Sequence, residues 1–266
     1  MAIPDVVSLK QTFRARDIPV ALALLTRLPL PYFNLPTEPH RPSARGAWAY
    51  PLVGILLALI AAGVGEALSW LGATPPLVAA LVLTTLVMLS GAMHEDGLAD
   101  CADGFWGGWT PDKRLRIMKD SVIGTYGVIA LVLSLLLRWY LISEVITDGA
   151  LLWALVIAAC GSRAAMVWVM DSLPIVRRDG LSDRTGRPGE LATAVAVVLA
   201  VMVTVVAPMF SAWRLVLIAL LAALVVRQVA KRKIGGQTGD VLGATQQITE
   251  IGLLMGCQMM AFGWQA

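Results

Sequence analysis

Charge is scarce in this chain. Only 15% of its 266 residues are Asp, Glu, Lys or Arg, against roughly a quarter in an ordinary soluble domain. Hydrophobic residues make up 58%, and mean hydropathy is +0.74. The shortage argues against a soluble fold built from amphipathic elements. The apolar residues come in blocks about 20 long and apolar on every side, the length that crosses a bilayer as helix. Cysteine is scarce too: Cys101, Cys160 and Cys257 lie far apart, and without ligand spacing they point to neither a disulfide framework nor a zinc site. The first seventeen residues have no apolar core after a basic start, so a cleaved signal peptide is not expected. Internal repeats, low-complexity tracts and a second domain are also missing. The expected fold is all-α: one integral membrane domain, residues 1–266, forming a polytopic helix bundle.

What is present divides into seven expected spans, at about 47–71, 75–92, 122–143, 149–170, 190–210, 213–230 and 246–265. The last is the weakest, because Gln246, Gln247 and Glu250 occupy its first turns. Ile18–Leu30 is too short to cross, holds Arg27 and is flanked by Pro19, Pro29 and Pro31; it reads as interfacial or re-entrant. Residues 1–45 form a cytoplasmic or interfacial segment, and loops 93–121, 171–189 and 231–245 are expected to carry the site. Lys and Arg mark cytoplasmic loops. Of the 21, eighteen fall on one side of this scheme: Lys10, Arg14, Arg16, Arg27, Arg41, Arg45, Lys113, Arg114, Arg116, Lys119, Arg177, Arg178, Arg184, Arg187, Arg227, Lys231, Arg232 and Lys233. Arg138 and Arg214 fall opposite, and Arg163 lies inside the fourth span. The N-terminus and the polar loops are therefore expected on the cytoplasmic side, in the cell's inner membrane.

Two stretches carry chemistry. "HEDGLADCADG" (His94–Gly104) crowds Glu95, Asp96, Asp100 and Asp103 beside an uncharged run. On a helix, Asp96, Asp100 and Asp103 fall within about 60° of one another. Glu95 points elsewhere. Such a stripe repels itself and raises its own pKa values unless a cation sits on it. Oxygen-only ligands suit Mg²⁺, Mn²⁺ or Ca²⁺ rather than zinc, and Mg²⁺ leaves positions for water and substrate phosphate. "GGQTGD" (Gly235–Asp240) is the second stretch. Its glycines let backbone N–H groups face an anion, so Gly235, Gly236, Thr238 and Gly239 are candidate phosphate contacts, with Lys231 just before them and Asp240 a further metal ligand. Arg163 and Glu250, ionisable groups at or within the membrane, are candidates by position: Arg163 for phosphate, Glu250 for the metal. His94 abuts the acids and is a candidate general base.

Together these stretches resemble the cobalamin-5′-phosphate synthase family (adenosylcobinamide-GDP ribazoletransferases). The family's His-x-Asp-Gly-Leu-Ala-Asp-x-x-Asp-Gly pattern is matched by His94, Asp96, Gly97, Leu98, Ala99, Asp100, Asp103 and Gly104. "RIMKDSVIGTYG" (Arg116–Gly127), which adds Asp120, is similar to the next family block. "LLTRLPLP" (Leu24–Pro31), "PLVG" (Pro51–Gly54) and "GGQTGDVLGATQQ" (Gly235–Gln247) follow the family in order. The resemblance implies an Mg²⁺-dependent transferase that joins adenosylcobinamide-GDP to α-ribazole or its 5′-phosphate. The products are adenosylcobalamin or its 5′-phosphate, plus GMP. His94, Asp96, Asp100 and Asp103 would be catalytic. Asp96, Asp100, Asp103, Asp120, Asp240 and Glu250 supply the candidate ligands for one or two Mg²⁺. Partners are those two substrates and the lipid bilayer, with a homo-oligomer or a pathway complex left open and no nucleic acid.

Two other classes compete. A CDP-alcohol phosphatidyltransferase also sets Asp-rich helix turns around Mg²⁺, but its Ala-Arg after the first acids is absent here: Ala99 is followed by Asp100. A cation transporter with an acidic vestibule would show inverted repeats and charged or broken helices at mid-membrane; the sequence offers Arg163 and little else.

Overall fold

The computed structural model describes residues 13–29, 42–178, 180–207 and 210–261. Lys10, Arg41, the end of the Leu24–Pro31 block and the tail of the expected seventh span lie outside them. A short helix α1 (Asp17–Leu25) comes first. A 3-10 helix, Ser43–Ala49, then runs directly into α2 (Tyr50–Trp70). There follow α3 (Pro75–Ser90), α4 (Met93–Gly107), α5 (Pro111–Ile117), α6 (Thr125–Thr147) and α7 (Leu151–Ser172). After these come α8 (Leu181–Thr185), α9 (Glu190–Val206), α10 (Ala212–Ile234) and α11 (Gly239–Ala261). Prolines sit in the first turns of α2, α3 and α5, where a missing N–H costs nothing. Among the described residues there is no strand, only an isolated parallel bridge between Ile175 and Gln237.

Among the described residues, four segments can cross a membrane by length and composition: Ser43–Trp70, Thr125–Thr147, Leu151–Ser172 and Ala212–Ile234. A fifth is reached only if α3 and α4 count as one span, and they meet at 87°. Among the described residues the expected count of seven is not confirmed. α3 has 16 residues and α9 has 17, short of the roughly 20 a bilayer needs. α11 is long enough but too polar to qualify. We take α4 as a turned-in half-helix rather than a span, since it carries four carboxylates.

The bend between α3 and α4 has a local cause. Gly91 (φ 67°) ends α3 in the left-handed region, and its N–H bonds to Met88 O while that of Ala92 bonds to Val87 O, the paired closure of a helix end. Ala92 itself has φ 57° and is the lone non-glycine with positive φ among the described residues. The chain thus leaves α3 at a sharp angle and re-enters the bundle as α4. Stretch 93–121, expected as a loop, is mostly helix, because the apolar residues between the acids give α4 a buried face at His94, Glu95, Gly97, Ala99, Cys101, Asp103, Gly104 and Phe105. Likewise 231–245 is the last turn of α10 and the first turns of α11, with only a short link between.

α7 is the pillar. Its Ala154, Ala158, Ala159, Cys160, Gly161, Ser162, Ala164 and Ala165 are all buried, and small side chains let neighbouring backbones come close. A Cβ on Gly54 of α2 would stand 2.3 Å from Ala159 O. α6 is built the other way out from a soluble helix. Val128, Ile129, Val132, Leu133 and Leu136 are exposed while Ser134 and Arg138 are buried, the polarity expected when lipid surrounds the bundle. α11 carries its polar residues inward too: Thr245, Gln246, Gln247, Thr249 and Glu250 are all buried.

Candidate functional site

Two glycines set the distance between the acidic helix and the glycine-motif helix. A Cβ on Gly97 would meet Asp240 O at 2.8 Å and Gly243 Cα at 3.2 Å, and a Cβ on Gly243 would meet His94 Cα at 3.2 Å. Backbone touches backbone at this crossing. It places Asp96 and Asp100 of α4 beside Asp240 at the start of α11. Around the crossing lies a cavity of about 200 Å³, walled by His94, Asp96, Arg177, Ser182, Thr238, Gly239, Asp240 and Gly243, with Leu24, Tyr50, Met166 and Met170 among its apolar lining.

Arg177 closes the wall opposite α4. Its Nη1 pairs with Asp240 Oδ2 at 2.9 Å, and Thr238 Oγ1 donates to the same oxygen at 3.2 Å. Sequence reasoning counted Arg177 only as a cytoplasmic charge. What places it is the "GGQTGD" turn. Gln237 N–H donates to Pro174 O at 2.8 Å, and Val176 N–H donates to Gln237 O at 3.2 Å. Gly236 lies so close that its Cβ would sit 2.1 Å from Pro174 O. Ser182 Oγ donates to Gln237 Oε1 at 2.6 Å and ties α8 to the same turn. Gly235 has φ +83° and caps α10. The motif expected to cradle phosphate is therefore a docking turn at its first half, and of its four candidate phosphate contacts Thr238 and Gly239 line the cavity while Gly235 and Gly236 do not. Lys231 is exposed and away from that lining; its neighbour Lys233 donates to Phe105 O at 2.9 Å and lies over the Trp106 ring.

The acids separate into groups. The Asp100 carboxyl is pushed up to about 7, first by burial and then by the charges of Asp240 and Asp96, with Arg177 opposing and Asp103 adding a little. Asp240 is raised by burial, against the pull of Arg177 and Thr238. Negative potential therefore gathers at Asp96, Asp100 and Asp240. Asp103 does different work. Its Oδ2 accepts from Gly124 N at 2.7 Å and its Oδ1 from Gly127 N at 2.9 Å, and a Cβ on either glycine would strike the carboxylate at 2.4 Å. It fastens α4 to the start of α6. Asp120 is exposed and caps its own turn by accepting from Val122 N at 3.2 Å. Among the described residues, no three His, Cys, Asp or Glu side chains stand close enough to form a ready-made metal cage.

Below the cavity lies a buried polar network. Arg138 of α6 pairs through Nη1 with Glu95 Oε1 at 2.7 Å and through Nη2 with Glu250 Oε1 at 3.0 Å. It also donates to Gln247 Oε1 at 2.9 Å. Gln247 bonds Glu95 and Gln246, and Gln246 reaches Ser162 of α7 at 3.2 Å. Glu250 is thus engaged by Arg138 and Gln246 rather than facing the acidic cluster. Arg163 donates to Ala159 O at 3.0 Å within α7 and does not line the cavity. Glu95 and Arg138, set aside in the sequence reading, are central here. Arg138 is not an outside charge at a helix end but a membrane-embedded one, and that position within a continuous apolar run was the available signal. His94 sits between network and cavity: burial, then the charges of Arg163 and Arg138, holds its imidazole neutral, well below the usual pKa. Its Nε2 has no partner.

Fold and site define a helical membrane protein with one acidic, arginine-closed cavity between a half-helix and the start of a polar helix. Residues 17–258 match the family model of cobalamin-5-phosphate synthase, and the chain belongs to that family, one of transferases in cobalamin biosynthesis. An adenosylcobinamide-GDP ribazoletransferase of Bradyrhizobium diazoefficiens is 41% identical over 246 residues, covering 90% of this chain and 92% of its own. Proteins of the same name from Mesorhizobium japonicum (41% over 240 residues, 90% and 91% covered) and Azorhizobium caulinodans (42% over 256 residues, 92% and 96% covered) are similar to it as well. No solved structure matches the chain.

Proposed function

We propose that this protein joins adenosylcobinamide-GDP to α-ribazole, or to its 5′-phosphate, and releases GMP, working from the cytoplasmic side of the inner membrane with Mg²⁺. Family membership supports the reaction class. The observation that carries the rest is that Asp96, Asp240 and Arg177 line a small cavity, with Asp100 close enough to feel the charge of all three. At about 200 Å³ the cavity is below the 300–1,000 Å³ typical of small-molecule sites. It suits the diphosphate and a ribose, leaving the corrin ring outside.

The donor set fits Mg²⁺. The candidate ligands are hard oxygens with no sulfur, and Asp100 rises to about 7 first through burial and then under the charges of Asp240 and Asp96, a repulsion that a cation would relieve. Asp96, Asp100 and Asp240 would hold it, and the lack of a closed three-acid cage fits an ion that keeps water and substrate oxygens. Asp103, Asp120 and Glu250 have the other partners described above. Mg²⁺ so bound would offset the charge of the diphosphate.

The chain's own residues supply the remainder. A ribose hydroxyl attacks the phosphorus carried by the corrinoid, a new P–O bond forms, the bridging P–O bond breaks, and GMP leaves. The hydroxyl proton needs an acceptor at the cavity, and His94 Nε2 is neutral, buried and unpartnered. The rigid α4–α11 crossing and the Arg177 wall orient the reacting groups. Purified protein given Mg²⁺, labelled adenosylcobinamide-GDP and α-ribazole should release GMP only with both substrates. GMP release unaffected by omitting α-ribazole, or none at all from intact protein, would overturn the assignment.

A further inference from the structure

The geometry points to Arg177 as the anchor for two non-bridging oxygens of the diphosphate, an assignment that rests on the transfer reaction proposed above. The guanidinium is half spoken for. Nη1 holds Asp240 Oδ2 at 2.9 Å, while Nε and Nη2 have no partner and are hidden from bulk solvent. Those two nitrogens form the side-on edge of the fork, whose parallel N–H groups match two oxygens of a carboxylate or phosphate. An arginine cannot shed its proton to escape this. Buried donors are nearly always paired, so the edge lacks an acceptor that a ligand would bring.

Arg177 is part of the cavity lining, as are Ser182, Thr238 and the N-terminus of α11 at Gly239. The 23-residue helix adds a positive end beside the same space. The backbone carrying Arg177 is held by the Ile175–Gln237 bridge, so the fork is positioned before any ligand arrives. Its Nη1 link to Asp240 makes one side chain both the wall of the acidic cluster and the seat of the anion. Arg163 and Lys231 offer no such edge to this cavity.

The test uses the full chain in detergent, with GDP as the probe and Mg²⁺ present, read by equilibrium binding. Arg177→Lys keeps the charge and a contact to Asp240 but loses the fork; GDP affinity should fall about 10-fold. Arg177→Gln loses both and should fall about 100-fold, the range expected for hydrogen bonds to charged groups. In turnover, KM for the GDP-linked corrinoid should rise in step while KM for α-ribazole stays put. Arg177→Lys binding GDP as tightly as the unaltered protein overturns the fork, and so does Arg177→Gln with unchanged affinity. The binding assay contains no α-ribazole, so it stands apart from the reaction. Arg177-dependent GDP binding in a chain that never yields GMP from both substrates keeps the anchor and removes the reaction.

Discussion

Arg138 is 2% exposed and faces two carboxylates inside the bundle. Replacing it by methionine keeps much of the side-chain volume and removes the charge. Glu95 and Glu250 are then left buried with only the nearby charge of Arg163 to offset them, and Gln247 loses a donor to its Oε1. Breaking a buried pair by deleting one partner costs about 3–5 kcal/mol, since the surviving charge is uncompensated. Two carboxylates survive here against the one guanidinium of Arg163, so Arg138→Met should fall within that range. The triple variant Arg138→Met, Glu95→Gln, Glu250→Gln removes these three charges; replacing buried ion clusters is often neutral or stabilising, but Arg163 then loses the two carboxylates near it. Stability is read by denaturant unfolding of the detergent-solubilised chain, followed by helical circular dichroism. The expected order places Arg138→Met several kcal/mol below the unaltered protein, with the triple variant recovering part of that. An Arg138→Met protein as stable as the original, or a triple variant no better than the single, would refute the claim that pairing, not packing, sets the value of this arginine. Retained Mg²⁺ dependence in the triple variant would also confirm that Glu250 is no metal ligand.

Further outcomes follow from the same contacts. Gly97→Ala drives a methyl group into Asp240 O at 2.8 Å; backbone cannot yield cheaply, so about 1–3 kcal/mol of overpacking should come with at least a 10-fold loss of kcat, and full activity would show that the crossing is not what sets the site. Asp103→Asn presents an N–H to one of the two glycine N–H groups it now accepts, so stability should drop by about 1–3 kcal/mol with the Mg²⁺ concentration dependence unchanged; the reverse pattern, intact stability with a shifted Mg²⁺ dependence, would make Asp103 a ligand. Asp100, pushed up to about 7 in the folded protein from 3.8, binds its proton more tightly folded than unfolded. Its contribution to stability without divalent cation is therefore complete at low pH and lost as pH rises through about 7. Melting temperature in EDTA should fall from pH 5.5 to 8 more steeply than in Asp100→Asn, and parallel slopes would contradict the shift.

The helical membrane character was legible from composition alone, because blocks apolar on every side have few other homes. Their number was not. Counting apolar length treats Pro75–Ser90 and Glu190–Val206 as spans, although Gly91 and Ala207 end them short. The i, i+4, i+7 spacing did put Asp96 and Asp100 on a common face. It could not show that Asp103, a turn further on, meets Gly124 and Gly127, since that depends on how α4 lies along α6. The glycine motif was recognised, yet its first two glycines serve a backbone bridge, and the arginine that the bridge positions lies sixty residues earlier in the chain. Arg138 was misplaced because the expected helix ended at residue 143, near enough to make it a terminal charge; the helix runs to Thr147.

The two polar layers explain why a membrane bundle suits such chemistry. Polar side chains of α6, α7 and α11 turn inward with Glu95 of α4, and the exposed face of α6 is mostly Val, Leu and Ile. Water is thereby kept from the lower network, and ion pairs there act at an effective dielectric well under that of water. Glu95 and Gln247 fix the register of α4 against α11 from beneath, Gly97 and Gly243 fix their separation, and Asp103 fixes the far end of α4 to α6. Three restraints of different kinds thus converge on the spacing of Asp96 and Asp100 from Asp240. Phosphoryl transfer asks the protein for little covalent work and much fixed charge. In a site held this way, the charge that the diphosphate brings meets donors and carboxylates already in place, so little of the binding energy goes into arranging them.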